Sequence, residues 1–334
     1  MYSIMKRFSL IFFICLTSIC TLHVKAQQIQ ILTSGNKISI RGLSVVNDNI
    51  IWASGSKGSV AKSVDAGKTW EWMTVKNFEE RDFRDIEAFD DHTAIIMAIS
   101  EPANILKTID GGESWKVVFT DTTKGMFLDA MDFYDKDHGI VVGDPVNDTV
   151  FLAVTNNNGN NWKPLTQTRI KASEGFFASS GTNIHYAADG SFMIVSGGKK
   201  SRLMSSNQPI SIEMIQGKES TGANSIAVRG NHAVIVGGDF SNDKDTTQNC
   251  LLSVDNHHGW IHPFAPPHGY RSCVEYITGD RLVTCGTSGI DVSADGGMTW
   301  KLISGESFHV CRKAKKGKAV FLAGSNGKIA KFDW

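Results

Sequence analysis

The sequence lacks the marks of most enzyme classes and of any helical fold. No stretch sustains apolar residues at helical spacing, which excludes bundles and helical solenoids. There is no G-x-S-x-G, no P-loop and no G-x-G-x-x-G after a strand, so nucleophile-elbow and nucleotide-fold chemistries have no footing. Net charge is missing too, with 34 Lys and Arg against 34 Asp and Glu. Long apolar runs are absent apart from Phe8–Leu22, which is too short to span a membrane comfortably.

That run has the form of a secretory signal over residues 1–26. Lys6 and Arg7 supply the basic start, and Val24-Lys25-Ala26 offers a small-residue cleavage site before Gln27. Ile19 is too large to precede a lipid-modified Cys20. Cleavage removes Lys6, Arg7 and Lys25 and no acid, so residues 27–334 carry a formal charge of −3. An acidic balance argues against a general nucleic-acid or anionic-membrane binder. The expectation is an exported single domain, periplasmic or extracellular, acting as a monomer without a transmembrane segment.

Cysteine is sparse. Cys250, Cys273, Cys285 and Cys311 remain after cleavage, in a compartment that permits disulfides. Cys273 and Cys285 fall on consecutive strands of one hairpin, with Cys311 as a competing partner; buried free thiols are the plainer alternative. The spacing has no paired C-x-x-C, so no zinc site is expected. His257, His258, His262 and His268 cluster in sequence but are split between a turn and a loop, so they set no metal site either.

What the chain has in abundance is one repeated stretch. Ser63-Val64-Asp65-Ala66-Gly67-Lys68-Thr69-Trp70 returns as Thr108–Trp115 and as Ser293–Trp300. Thr155–Trp162 keeps the frame with Asn157 in place of Asp, and Ser253–Trp260 keeps the Ser, Asp and Trp. Each copy follows a β-type run and precedes a short apolar one, as a hairpin does. The Asp is expected to cap its own turn while a Gly takes positive φ. The pattern resembles the Asp-box, or BNR repeat, of sialidase-like propellers. A strand-rich period of roughly 40 to 50 residues means four-stranded propeller blades. Seven blades follow, the last with three strands of its own: Phe308–Arg312, Ala319–Ala323 and Ile329–Asp333. The lone strand Gln28–Leu32 is expected to complete that blade and close the ring. Blade four is expected to begin at Gly175-Phe176-Phe177, its final turn near Ser205-Ser206-Asn207 having lost the signature.

Propeller geometry sorts the candidate residues. Arg41, Arg84 and Arg271 each stand near the start of an innermost strand, in blades one, two and six, and His309 holds a related place in blade seven. These blades are contiguous around a closed ring, so the arginines are expected to form an arc at the channel mouth. An arc of guanidinium groups receives carboxylate, sulfate, phosphate or an acidic protein segment. The competing account pairs each arginine with a neighbouring acid, Asp85, Glu87 or Glu275. Glu174 before the inner strand of blade four, and Asp144 on a blade-three loop, are candidate acids for glycoside chemistry. Asp239, Asp243 and Asp245 crowd a long blade-five loop but lack calcium-ligand spacing.

With the blades laid out, the mature chain resembles the Ycf48-like exported propellers, the photosystem II stability and assembly factors. The resemblance rests on the Asp-boxes and on Ile40-Arg41-Gly42-Leu43 and Tyr270-Arg271-Ser272-Cys273. It implies a non-catalytic assembly or interaction factor without cofactor, whose arginine patch maps to Arg41, Arg84 and Arg271. The sialidase likeness implies an alternative, a hydrolase or lyase acting on an acidic sugar. Against it, Arg41-Gly42-Leu43 stands where sialidases have Arg-Ile-Pro, and only Glu275, Tyr276 and Tyr270 approach a Tyr/Glu pair.

Overall fold

Short runs of Val, Ile, Ala and Phe, bounded by Gly, Asp and Asn turns, build 27 strands and, among the described residues, no helix. The computed structural model describes residues 27–165, 170, 172, 174–205, 209–255 and 259–334. The expected signal segment, Ser206-Asn207, His257 and His258 lie outside them.

The strands form seven antiparallel sheets, a seven-bladed β-propeller. The innermost strands are Ile40–Val45, Phe83–Ala88, Leu128–Phe133, Ile184–Tyr186, Thr221–Arg229, Cys273–Thr278 and Val310–Lys313. In the seventh sheet Gln28–Thr33 pairs with Ile329–Asp333, placing Ile29 opposite Phe332. Blade five has three named strands. At its outer edge Leu252 exchanges two hydrogen bonds of 3.0 Å with Ile261.

Core side chains fill the wedges between blades. Trp52 of blade one is fully buried against Phe83, Ile86, Ile96 and Leu106 of blade two, and its indole N–H reaches Asp90 O at 3.0 Å. Each such large side chain contributes about 1.5–3 kcal/mol. On the rim, Ser63 Oγ donates to Asp65 Oδ1 at 2.9 Å and accepts from Gly67 N at 2.9 Å. Thr69 closes the turn onto Asp65 through its N–H at 2.9 Å and its hydroxyl at 2.6 Å. The same bonds recur around Asp110 and Asp295. Hydrogen bonds from Thr69 and Ser114 pull the Asp65 and Asp110 carboxyls down to about 2. These acids are turn caps.

Blade four departs from expectation. Its inner strand is Ile184–Tyr186, and Gly175-Phe176-Phe177 lies outside it. The chain between them runs into the central channel, where Ser179, Ser180, Thr182 and Asn183 are buried. There Ser180 Oγ donates to Ser272 O at 2.7 Å, Thr182 Oγ1 donates to Ser225 Oγ at 2.7 Å, and Arg312 donates to Gly181 O at 3.2 Å. Gly181 has φ 65°, and a Cβ on it would lie 2.3 Å from the Asp85 carboxyl carbon. Only glycine passes there. The channel is plugged.

Candidate functional site

The plug leaves a cavity at each end of the channel. The larger, about 420 Å³, is lined by Arg41, Arg84, His309, Asp144, a cluster of aromatic side chains and the plug residues Ala178 and Ser179. The smaller, about 180 Å³, holds Asp132, His185, Glu275, Tyr276 and Arg312, with Gly181 and Thr182 against it.

A recurring β-bulge places the polar floor of the larger cavity. In blade one Ile40 lies opposite Gly55 and Gly42 opposite Ser54, which leaves Arg41 as the extra residue. Arg84, Asp129 and Asn224 are the extra residues in blades two, three and five. In blade seven His309 N donates to Ala323 O while Val310 lies opposite Ala323. A bulged residue is released from the pleat and re-aimed, here toward the channel mouth.

Blade six corrects the expected arginine arc. Ser272 N donates to Cys285 O while Cys273 lies opposite Cys285, so Ser272 holds the bulge position. Arg271 falls one residue earlier, where the other blades place the buried Ile40, Phe83, Leu128, Ala223 and Phe308. One residue along a strand reverses the side chain's face. Arg271 is fully buried, and its Nε donates to the equally buried Asp291 at 2.7 Å. It also donates to Ser288 Oγ at 2.7 Å, and His268 Nδ1 lies 2.6 Å from Asp291. This is an interior ion pair, removed from the cavity.

The other two arginines do meet. Arg84 Nε pairs with Asp82 at 2.8 Å, and its guanidinium stands 5.9 Å from the centre of the Phe127 ring. Arg41 reaches only Ser179 O, at 3.4 Å, and no carboxylate among the described residues lies within 4 Å of it. Burial, then the nearby Arg84 charge, lower the Arg41 pKa from its usual value. Burial and the Arg41 charge drop His309 to about 4, so it faces the cavity as a neutral ring. Its Nδ1 lies 2.9 Å from Ile40 O. None of the acids expected to neutralise the arginines does so. Asp85 accepts from Ile86 N and Met131 N, both at 2.8 Å, Glu87 pairs with Lys315, and Glu275 lies 3.7 Å from Arg312.

The aromatic walls come from separate loops. Phe177 packs edge-on to Phe240 with ring centres 5.9 Å apart, and Phe240 meets Tyr270 at 6.2 Å. Phe240 is 47% exposed at the opening. Tyr270 donates to Asn224 Oδ1 at 2.8 Å. Sequence reasoning missed Asn224, Ser272 and Asp129; aligning the inner strands by their bulges finds them.

The candidate acids of the sugar-active alternative are dispersed. Glu174 is buried in an ion pair with Arg202. Asp144 accepts from Phe176 N at 2.9 Å on the wall of the larger cavity, while Glu275 and Tyr276 line the smaller one beyond the plug. Asp239 and Asp245 cap their own loop, accepting from Ser241 N and Thr247 N. Cys250, Cys273, Cys285 and Cys311 are free buried thiols.

No family model matches the chain, and no curated protein matches it. Solved structures do. Ycf48 bound to D1 peptide shares 17% identity at a TM-score of 0.69, over 94% of this chain and 98% of that one. Ycf48 from Cyanidioschyzon merolae shares 17% at 0.65, over 91% and 98%. The WD40 propeller domain of Doa1 shares 14% at 0.63, over 91% and 97%. At these identities the likeness speaks to architecture, and the architecture shared, over at least 91% of this chain, is the β-propeller.

Proposed function

We propose that this chain is an exported, non-catalytic propeller that holds an acidic segment of a protein partner in the Arg41/Arg84 cavity. The observation that carries this reading is Arg41, a guanidinium drawn into an aromatic-walled cavity with no carboxylate among the described residues within 4 Å of it. A positive charge so placed is stabilised when a ligand carboxylate completes a charge-assisted pair, while the rings supply apolar contact. The blind floor suits a side chain or chain segment that enters and stops. Support also comes from the solved propeller of like fold that binds a D1 peptide. Arg271 has no part in this site.

The test is affinity capture from the cell envelope with the tagged mature protein and its Arg41→Ala/Arg84→Ala variant, matched in thermal stability. A stoichiometric partner retained by the wild type and lost by the variant is expected. A partner retained equally by both places recognition elsewhere on the ring.

A further inference from the structure

One acid, Asp144, shares the cavity with the arginines, a second, Asp129, is buried near it, and the reading above gives them no task. Asp144 is half-buried on the wall; Phe176 N occupies its Oδ1, and its Oδ2 accepts no hydrogen bond from the described residues. Asp129, the bulge residue of blade three, is fully buried, and neither of its carboxyl oxygens has a hydrogen-bond partner among the described residues. Burial without such a partner disfavours the charged form of the carboxyl. Burial, then the neighbouring Asp144, raise the Asp129 pKa well above the carboxylate range; burial also raises that of Asp144. The titratable groups near this pair are Arg84 of blade two, itself engaged by Asp82, and beyond it Arg41 and the neutral His309. The cavity therefore has on one side a guanidinium with no carboxylate among the described residues within 4 Å, and on the other acids whose burial favours the protonated form.

We propose that the cavity recognises a ligand bearing both charges, its carboxylate on Arg41 and a cationic nitrogen on Asp144, with an apolar body against the aromatic wall. The inference rests on the Arg41 reading and narrows it to a partner segment in which acid, base and an apolar group lie together. When the cation arrives, the Asp144/Asp129 pair ionises, and the displaced proton passes to solvent. The acid's O–H bond is the one that breaks, its electron pair staying on the carboxylate.

Titration calorimetry on the mature protein tests this with four probes built on one phenyl group. They are 3-phenylpropionate (carboxylate alone), phenethylamine (ammonium alone), and phenylalanine and phenylalanyl-glycine (both, at two spacings). One doubly charged probe should bind at least tenfold more tightly than either singly charged one. Asp144→Asn should erase that advantage while leaving 3-phenylpropionate within twofold. Binding enthalpy should vary with the buffer's ionisation enthalpy in the sense of proton release. Equal affinities for 3-phenylpropionate and both zwitterions, unmoved by Asp144→Asn, overturn the inference and leave the Arg41 reading standing. Binding of none of the four overturns it as well, and envelope capture then judges the Arg41 reading independently.

Discussion

Blades one and six each carry an arginine at the start of the innermost strand, and the two occupy opposite environments. Arg41 sits on a bulge, faces a cavity and has a carbonyl for company. Arg271 sits one residue before the bulge, in a position that is apolar in blades one, two, three, five and seven, locked to Asp291. The same residue type faces a cavity in one place and builds interior structure in the other. A single step of register decides which.

The sharpest way to break the comparison is to remove each guanidinium in turn. Arg271→Ala leaves Asp291 buried without its guanidinium, with His268 alone beside it, which should destabilise the ring by about 3–5 kcal/mol in chemical unfolding. Arg41→Ala should leave stability within about 1 kcal/mol and act on partner affinity, which should fall by about tenfold or more. If the two variants unfold alike, the assignment of roles is wrong.

The plug can be separated from the mouth in the same way. Gly181→Ala must hold φ 65° and displace the Asp85 carboxyl, at about 3 kcal/mol or more. Gly190, with φ 82° and open space around it, should lose only about 1 kcal/mol on the same change. Asp85 itself gives a pH signature. Burial lifts its carboxyl from 3.8 to about 8, so between those values the folded chain binds more protons than the unfolded one. Its stabilising contribution is full below pH 4 and fades as pH rises toward 8, at a slope of up to about 1.4 kcal/mol per pH unit. Unfolding at pH 5, 6.5 and 8 should show this fall in the wild type and a flatter profile in Asp85→Asn. Identical profiles would mean that Asp85 is ionised in the folded ring.

Much of the architecture was legible because the chain repeats itself: five marked turns at a regular period leave little choice but blades. The arginine arc was legible only in part. Tyr270-Arg271-Ser272 looks like Ile40-Arg41-Gly42, but a bulge leaves no mark in the residues, and apparent alignment was off by one. Asp129 was hidden by the same shift, since its strand shows no arginine to align. In blade four the turn signature is gone, so Gly175-Phe176-Phe177 was read as strand when its rings were bound for the cavity wall. Phe177, Phe240 and Tyr270 come from three loops with no common spacing, and only the closed ring brings them together.

The plug has a consequence for the ring as a whole. Through residues 174–182 blade four touches Asp144 of blade three, Asn224 and Ser225 of blade five, Ser272 of blade six, Arg312 of blade seven and Arg41 of blade one. Repeat proteins whose units meet only their neighbours can unravel from the weakest unit outward. Here one segment is the hub of a wheel, and pulling it out loosens five other spokes at once. Blade four, the least regular of the seven in sequence, is thereby the one that makes the wheel fail as a single piece.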